Sequence, residues 1–578
     1  MVRIGSFQNV DASARRVVLS DDGQAARSSK LGGRIVSGLA RRSSDENVTV
    51  KKAFVKSIRD AYGSTAADAV HLKLDMSGKK PLTGRQVHQL LSEHVTVHRR
   101  SDALQSGDIR MLLGRAGAID AAGTPSHGAP LAEHVEFLKQ AVRDGSTELN
   151  DKLAFASHDT LKSLVADALK LDPGSDGVAR AVAAIREGAP NQISGDRETL
   201  TLKGKDFTKG KFLGEGGFGA AHVYTAADGD SVVVKSLSDP DPNWFETPAA
   251  FQAEKENKTA QARDECQAHR YATSSDGEPD SSGADYVAGF GGPIRSSDGT
   301  IHLAIQHCSV GDVTSLWGTR QGETSGIDRL QKDEYLAPKV ATMLKTSMAH
   351  DLIKGMQHLQ LNRNMVHLDL KPHNVFMDSS GRCKIGDFGL AEATMAKSLP
   401  QGFQTTRQYQ SPELFKAIAP GSEQRVAFQT SDSYSVGYML YELVTGNRAF
   451  EDAREMNFVT NRDNWFAGND ALAVGEQSTG HSDWDALING LTHRDPNQRI
   501  SLEDALKSPL FSDILKPDGS DVKPEIRSLL PKVANFARTT RKEETEQNDA
   551  IREGLTLELV AIRYEIMAGA MDLEQPGL

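Results

Sequence analysis

The sequence predicts an α+β chain in which a small lobe of antiparallel strands precedes a larger helical lobe. Near residue 200 the apolar periodicity changes from helical to strand-like. Residues 214–223 and 231–235 are predicted strands around an Asp228-Gly229 turn, which is a strong hairpin signal. From Met343 onward helical patterns dominate. A chain of 578 residues exceeds one hydrophobic core, so we expect roughly two to four domains.

The composition is that of an ordinary soluble globular protein, with 38% hydrophobic and 25% charged residues. The net charge of −11 argues against a general nucleic-acid binder, because neutralising phosphates requires a basic surface. Cys266, Cys308 and Cys383 form no Cys-x-x-Cys pair, which favours a reducing, cytoplasmic working compartment. No apolar run reaches the roughly 18 residues that span a bilayer, so we expect no transmembrane segment.

Residues 1–50 are predicted to be a flexible leader. They are rich in Ser, Arg, Gly and Asp, and Phe7 is their only aromatic residue, so they bury too little apolar surface to order themselves. Four apolar residues recur there at helical spacing beside arginines: Leu31, Ile35, Val36 and Leu39. Such a helix could contact a membrane surface or a secretion chaperone. A solvated tail is the favoured interpretation.

Residues 51–195 are predicted to form a helical accessory domain of unknown role. Apolar residues recur there with helical spacing in four groups: Phe54, Val55 and Ile58; Val87, Leu90 and Leu91; Val135, Leu138 and Val142; and Leu161, Leu164, Val165, Ala168 and Leu169. The Asp172-Pro173-Gly174 turn ends the last group. At the other end of the chain, residues 524–578 are predicted to be a further helical extension.

A glycine-rich loop and a lysine lie in the strand region. The loop consists of Gly214, Glu215, Gly216, Gly217, Phe218 and Gly219. Glycines let a backbone approach phosphates closely, with amide hydrogens as donors, although an ordinary hairpin turn explains such a loop equally well. Lys235 ends a run of three valines and on its own would be a solvated strand-end residue. Together the loop and the lysine indicate phosphate binding.

The richest chemistry lies in the run from His367 to Asn374 and in Asp387-Phe388-Gly389. Along the sequence, these motifs supply a carboxylate (Asp369), an ammonium (Lys371), an amide (Asn374) and a second carboxylate (Asp387). That is the set of groups needed to move a phosphoryl group from ATP to a hydroxyl. With the glycine loop and Lys235, the motifs resemble the eukaryotic-like protein kinase superfamily. The resemblance implies a two-lobed protein kinase fold over residues 205–515, with ATP in the cleft between the lobes.

The resemblance implies a role for each group of the catalytic loop. Asp369 would orient and deprotonate the acceptor hydroxyl, and Lys371 would stabilise the charge of the γ-phosphoryl group. Asn374 and Asp387 would bind Mg²⁺.

The resemblance also implies that Lys235 contacts the α- and β-phosphates of ATP. A carboxylate on the next long helix should hold this lysine. Glu254, Glu256 and Glu265 are the candidates. We choose Glu265 because residues 268–271 resemble the end of the family's helix C.

The segment 303–308, followed by Gly311-Asp312, resembles the hinge between kinase lobes. Ile305 would occupy the gatekeeper position, and backbone groups near Gln306 and Cys308 would meet the adenine edge. The nucleotide-binding residues implied are the glycine loop with Leu213, Ala221, Val233, Lys235, Ile305, Gln306, Cys308, Asp312 and Phe376. Ala221 stands where the family usually has valine. This difference affects a contact with adenine and leaves the catalytic groups unchanged.

Later motifs extend the resemblance towards residue 515. Residues 406–413 resemble the substrate-binding end of the activation segment, with Ser411 in place of the usual alanine. Asp432 opens a segment that matches the buried helix F, which anchors the catalytic loop. Arg499 is expected to pair with Glu413 in a buried, structural ion pair.

Leu368 is the main departure from the family pattern. It replaces the arginine that binds a phosphorylated activation segment, so we expect activity that does not depend on this phosphate clamp. Lys371 together with Thr406 resembles serine/threonine kinases rather than tyrosine kinases.

The sequence therefore predicts an autophosphorylating serine/threonine protein kinase that uses ATP and Mg²⁺. Two alternatives stay open: a kinase-fold scaffold that transfers nothing, and a kinase whose acceptor is a lipid, a small molecule or another nucleophile. The leader, helical module and kinase domain together resemble a bacterial effector that a type III system injects into host cells, where it would act on host signalling proteins. A regulatory kinase of the producing cell is the alternative setting.

Overall fold

The computed structural model describes residues 104–120, 131–216, 219–236, 247–273, 281–297, 300–317, 324–392, 396–399, 403–419, 426–446 and 479–574, together with a few isolated positions and four two-residue strands nearer the N-terminus. Contacts divide the chain into two compact units. The sheet unit comprises Arg99–Arg270 and Gly289–His307, and the helical unit comprises Met1–His98, Tyr271–Ala288 and Cys308–Leu578.

The four N-terminal strands form two isolated antiparallel pairs. They are β1 (Val18–Leu19) with β2 (Ala25–Ala26), and β3 (Asn47–Val48) with β4 (Leu82–Thr83). The predicted apolar faces around Leu31, Phe54 and Val87 lie outside the described residues.

The sheet unit begins with a bundle of five helices. These are α1 (Ser106–Arg115), α2 (Leu131–Arg143), α3 (Thr147–Phe155), α4 (His158–Leu169) and α5 (Asp176–Glu187). The predicted faces of α2 and α4 form much of its core: Leu138, Val142, Leu161 and Val165 are buried there, and Val135 packs against them. The turn predicted to end α4 is present, because Gly174 N donates to Asp172 Oδ1 at 2.7 Å.

A seven-stranded antiparallel sheet follows the bundle, in the order β10-β11-β9-β8-β7-β6-β5. Its strands are β5 (Asn191–Ile193), β6 (Thr199–Leu202), β7 (Lys205–Gly216), β8 (Gly219–Ala226), β9 (Ser231–Ser236), β10 (Phe290–Arg295) and β11 (Ile301–Gln306). Helix α6 (Pro248–Thr273) lies between β9 and β10 in the sequence.

Two details of the sheet differ from the sequence prediction. Residues 214–223 do not form one strand: β7 ends at Gly216 and β8 begins at Gly219, paired antiparallel. Gly219 has a φ of 120°, which only glycine adopts without strain, so the chain turns there. In addition, β5 lies inside the stretch predicted to be helical, because it pairs with β6 and extends the sheet.

The helical unit is built around two long, largely buried helices. Its elements are β12 (Gly311–Asp312), α7 (Thr314–Trp317), α8 (Gly326–Lys332), α9 (Pro338–Gln357), β13 (Val375–Met377), β14 (Cys383–Ile385), β15 (Ala396–Ser398), α10 (Pro412–Ile418), β16 (Val426–Phe428), α11 (Gln429–Thr445), α12 (Ser482–Thr492), α13 (Leu502–Ala505), α14 (Pro524–Thr545) and α15 (Asp549–Glu574). Helices α9 and α11 are buried along most of their length.

Within the described part of the chain, no helix combines the length and the apolar character that crossing a membrane would require.

Candidate active site

The catalytic loop 367–374 is held in place by helix α11. Asp432, in the first turn of this helix, accepts hydrogen bonds from the backbone amides of His367 (2.7 Å) and Leu368 (2.8 Å). The His367 ring also lies 3.2 Å from the carbonyl oxygen of Gly386. Leu368 has a φ of 66°, a conformation unusual for leucine, and the two contacts of Asp432 hold the backbone at this point.

Asp369 lies at the centre of a hydrogen-bond network. Its Oδ2 accepts from Lys371 Nζ at 2.6 Å, and its Oδ1 accepts from the backbone amide (3.0 Å) and hydroxyl (2.6 Å) of Thr406. Burial alone would raise the pKa of Asp369, but the hydrogen bonds from Lys371 and Thr406 outweigh it and hold the pKa below its usual range. The carboxylate is therefore ionised at neutral pH.

Thr405 is a part of this network that the sequence analysis did not single out. Its hydroxyl donates to the carbonyl oxygen of Leu368 at 2.5 Å and lies 3.2 Å from Asp369 Oδ1. In the sequence, only its position next to Thr406, at the edge of the motif 406–413, could have marked Thr405 as a site residue. Neighbouring hydroxyls fix both the backbone and the side chain of the catalytic loop.

Asn374 and Asp387 lie at the same end of a β-hairpin. Strands β13 and β14 pair with Val375 opposite Ile385, and Gly386 N donates to Asn374 O at 2.9 Å. The amide nitrogen of Asn374 donates to the backbone oxygen of Asp369 at 2.8 Å, which turns its side-chain oxygen away from that loop. An amide oxygen and a carboxylate are ligand types that Mg²⁺ takes, with phosphates and waters completing its shell. The two residues therefore offer oxygen ligands of the types that this cation accepts, and their role as its ligands stays a prediction.

Lys235 and Glu265 are in contact within the sheet unit, as the sequence analysis predicted. Lys235 Nζ donates to Glu265 Oε1 at 2.7 Å, joining β9 to α6. The glutamate side chain is only 2% exposed. Of the three candidate glutamates, Glu265 therefore holds the lysine.

The other predicted nucleotide residues of the sheet unit lie on consecutive strands. Gly214 pairs with Ala221 across β7 and β8, and Val233 pairs with Ile305 across β9 and β11. Leu213 is largely exposed on β7. Gln306 folds back within the unit, where its side-chain oxygen accepts from Gly289 N at 2.9 Å. Gly216 ends β7 and Gly219 begins β8, whereas Gly217 and Phe218 lie outside the described residues.

The remaining predicted nucleotide residues belong to the helical unit. Asp312 on β12 pairs with Phe376 on β13, which brings these two predicted residues side by side. Asp312 Oδ1 accepts from the Thr314 amide at 3.0 Å. Cys308 is buried, and burial raises the pKa of its thiol to about 12, so it is not a thiolate at neutral pH.

Leu368 packs into an apolar cluster beneath the segment that follows Asp387. The cluster contains buried Leu399, Leu414 and Ala417, with Phe403 packed against it. Protein kinases commonly carry an arginine at this position, whereas Leu368 packs in an apolar cluster. A charged side chain buried here would have no partner within this cluster.

The buried ion pair predicted between Glu413 and Arg499 is present. The guanidinium donates to both carboxylate oxygens, at 2.6 and 2.8 Å, and the arginine side chain is only 1% exposed. Arg499 also donates to the carbonyl oxygen of Thr430 at 2.6 Å, which ties the pair to the start of α11. Burial opposes ionisation of Glu413, but Arg499 overcomes it and lowers the pKa of the carboxyl.

Part of this chain is similar to known protein kinases. The family model described as "Protein kinase domain" matches residues 322–511. Serine/threonine-protein kinase 36 of Mus musculus is 30% identical over 194 residues, which are 32% of this chain and 13% of that relative. Serine/threonine-protein kinase atg1 of Aspergillus fumigatus is 25% identical over 303 residues, covering 44% of this chain and 30% of the relative.

Serine/threonine-protein kinase Nek2 of Mus musculus is 27% identical over 225 residues, covering 38% of this chain and 45% of the relative. The chain thus spans less than half the length of each of these three relatives. Residues 322–511 contain the catalytic loop, Asp387 and the Glu413–Arg499 pair, whereas Lys235 and Glu265 lie outside the family match.

Proposed function

Because this chain belongs to the eukaryotic-like protein kinase superfamily, we propose that it transfers the γ-phosphoryl group of ATP to serine and threonine hydroxyls of proteins. The observation that carries the proposal is the environment of Asp369. A carboxylate with a lowered pKa, an ammonium 2.6 Å away and a neighbouring amide make up the acceptor side of phosphoryl transfer.

In this reaction Asp369 accepts a hydrogen bond from the acceptor hydroxyl and aligns its oxygen with the γ-phosphorus. As the new O–P bond forms and the bond to the β-phosphate oxygen breaks, the hydroxyl proton passes to Asp369. Because the pKa of this carboxyl is low, it is a weak base, and its main contribution is orientation until late in the step. The products are a phosphoester and ADP.

Phosphoryl transfer also needs positive charge near the phosphates of ATP and oxygen ligands for Mg²⁺. Lys371 Nζ lies beside Asp369 and can neutralise charge on the transferred phosphoryl oxygens. Lys235, fixed by Glu265, is suited to the α- and β-phosphates. Asn374 and Asp387 would hold Mg²⁺, whose positive charge neutralises the phosphates when it is bound.

Radiolabelled ATP tests the proposal directly. The parent chain, Asp369→Asn and Lys235→Ala are incubated with γ-labelled ATP, Mg²⁺ and casein as a generic acceptor. We expect label on protein from the parent, and a loss of about 10³-fold or more in either variant, because each removes charge that acts in the transition state.

Asp572→Asn is the matched control, since Asp572 is an exposed residue of α15 far along the sequence from the site. It should transfer label like the parent. Nucleotide binding without transfer by the parent would instead support the scaffold alternative, and label found only on lipid or small molecules would support the other acceptor class.

The biological setting that we propose is that of an effector secreted into a host cell, where it phosphorylates host signalling proteins. Support comes only from the Ser- and Arg-rich composition of residues 1–50, joined to a helical module and a kinase domain. A reporter fused to residues 1–50 should be exported by a bacterium with a type III system and retained when that system is disabled. Retention in both strains would favour a kinase of the producing cell.

A further inference from the structure

Helix α3 of the five-helix bundle is buried on two faces. One face packs inside the bundle, and the other packs against α6 and β11. Leu149 and Leu153 lie in the core of the five-helix bundle. Phe155 lies instead in a separate apolar cluster with Ala262 and Cys266 of α6 and with Leu303 of β11. A short helix that packs on both sides joins the bundle directly to the helix that carries Glu265.

An ion pair reinforces this contact. Asp151 accepts two hydrogen bonds from the Arg270 guanidinium, from Nε at 2.5 Å and from a terminal nitrogen at 2.7 Å. The Asp151 side chain is 17% exposed and that of Arg270 is 28% exposed, so the pair is partly shielded from water. Bidentate pairing also fixes orientation, since both ends of the carboxylate are engaged.

The residues of α6 that meet α3 are spaced so that they form one stripe. Ala262, Cys266 and Arg270 follow each other at intervals of four, which places them on one face of the helix. Arg263 also lies over the Phe155 ring, 5.5 Å from its centroid. Glu265 is adjacent to this stripe, one residue before Cys266. A rotation or shift of α6 away from α3 would therefore carry Glu265 away from Lys235.

The end of α3 is itself fixed. Arg186 of α5 donates to the carbonyl oxygens of Leu153 and Ala156, both at 2.7 Å. Arg295 of β10 donates to the carbonyl oxygen of Ala154, also at 2.7 Å. Two arginines, one from the bundle and one from the sheet, thus satisfy carbonyls that the helix end leaves unpaired.

We propose that Asp151 and Phe155 are positioning residues for phosphoryl transfer. They hold α6 so that Glu265 stays paired with Lys235, and the helical domain is a built-in activator of the sheet unit. In protein kinases the lysine–glutamate pair must be formed for turnover, and the position of the helix that bears the glutamate controls it. In this chain the contact is supplied in cis by α3. The proposal rests on the kinase function proposed above.

Steady-state kinetics of the full-length chain test the positioning role. If losing the contact lowers the fraction of molecules with a formed lysine–glutamate pair to about a tenth, kcat/KM for ATP falls about tenfold. We expect this from Asp151→Asn and from Phe155→Ala, with a higher KM for ATP and an unchanged KM for casein. Asp167→Asn is the matched control, because Asp167 pairs with Arg110 on the exposed surface of the same bundle.

Two further measurements separate positioning from mere loss of folded protein. The charge swap Asp151→Arg with Arg270→Asp should restore most of the kcat/KM lost in Asp151→Asn. Hydrogen–deuterium exchange should increase in peptides spanning residues 258–270 of Asp151→Asn while staying unchanged in peptides of α9. Partial unfolding would lower kcat alone, without raising KM for ATP.

The outcomes distinguish this inference from the proposed function. A parent chain that transfers no phosphate overturns the proposed kinase activity, and the exchange measurement on α6 then still decides whether α3 holds this helix. A fully active Asp151→Asn and Phe155→Ala, with unchanged exchange in α6, would overturn the positioning role while leaving the kinase activity intact.

Discussion

At the scale of single residues, the hydroxyl and amide of Thr406 shape the acid–base behaviour of Asp369. Both donate to the same carboxylate oxygen, while Lys371 donates to the other. These contacts stabilise the ionised form, so the pKa of Asp369 is depressed although burial opposes it. The active, ionised form therefore predominates above this pKa and is lost only as the pH falls through it.

Replacing Thr406 by valine removes the hydroxyl donor and keeps the side-chain shape. We expect the acidic limb of the kcat/KM profile to move to higher pH in Thr406→Val, because the ionised form of Asp369 loses a stabilising hydrogen bond. Initial rates between about pH 3 and 7 would measure the shift, because the acidic limb of the parent lies below the ordinary carboxyl value of 3.8.

Thr406→Ser is the control, since it keeps the hydroxyl and should retain the parent profile. Superimposable acidic limbs for the parent and Thr406→Val would contradict the role assigned to this donor.

At the scale of elements, residues of the segment 387–413, which resembles a kinase activation segment, pack on Leu368. The sequence predicted that a leucine there could not bind a phosphate. The structure adds that this side chain is 4% exposed and packs with Leu399 and Leu414. Which residues would contact Leu368 could not be predicted, because they are distant in sequence.

Leu368→Ala should destabilise the helical unit by about 2–5 kcal/mol, the cost of removing a large buried side chain. Urea unfolding measures the change, and phosphoryl transfer should fall with it. Leu368→Met conserves volume and should retain most of the stability. An unaltered unfolding midpoint for Leu368→Ala would show that the apolar cluster does not support the segment.

The Glu413–Arg499 pair predicts a pH-dependent contribution to stability. Removing one partner with Glu413→Gln should cost about 3–5 kcal/mol at pH 7, because the buried arginine loses its counter-charge. The folded-state pKa of Glu413 lies below its ordinary value of 4.5, so the stabilisation is complete above that pH and is lost as the pH falls through the folded value.

Urea unfolding of the parent and Glu413→Gln at pH 7 and at pH 4 tests this. The difference between the two proteins should shrink at the lower pH. A difference that stays constant, or grows with acidity, would contradict the ion pair as its source.

Elements with a strong local signal were predictable. The Asp228-Gly229 hairpin and the apolar faces of α2 and α4 follow from turn residues and periodicity. The Lys235–Glu265 contact follows from the resemblance of residues 268–271 to the end of a kinase helix C. Features that depend on distant partners were not. Strand β5 carries little local strand signal and exists through its pairing with β6, and the second buried face of α3 is defined by α6.

At the scale of the whole molecule, the C-terminal helices are a structural part of the helical unit. The sequence predicted only further helix beyond residue 524. In the structure, α14 buries Leu530, Val533 and Phe536, and Arg527 donates to Asp351 of α9 at 2.5 Å. Asp351 is fully buried, and Arg527 places an opposite charge beside it.

Arg527→Met should therefore lower the free energy of unfolding of the helical unit by about 3–5 kcal/mol, since Asp351 is left as a buried charge. The double variant Arg527→Met with Asp351→Leu should regain part of this loss, because both charges are removed. Thermal unfolding of the intact chain measures both effects. An unchanged unfolding temperature for Arg527→Met would contradict a stabilising role for the Arg527–Asp351 pair.

The central claim is that this chain phosphorylates hydroxyl groups with Asp369 at the acceptor. The most direct measurement is mass spectrometry of the parent and Asp369→Asn after incubation with ATP and Mg²⁺. We predict phosphoserine and phosphothreonine in the parent and none in the variant. The expected sites of autophosphorylation are the leader 1–50 and two segments that are rich in polar residues in the sequence, 272–284 and 452–480. Equal phosphorylation of both proteins, or a parent that binds ATP and phosphorylates no hydroxyl, would contradict the account.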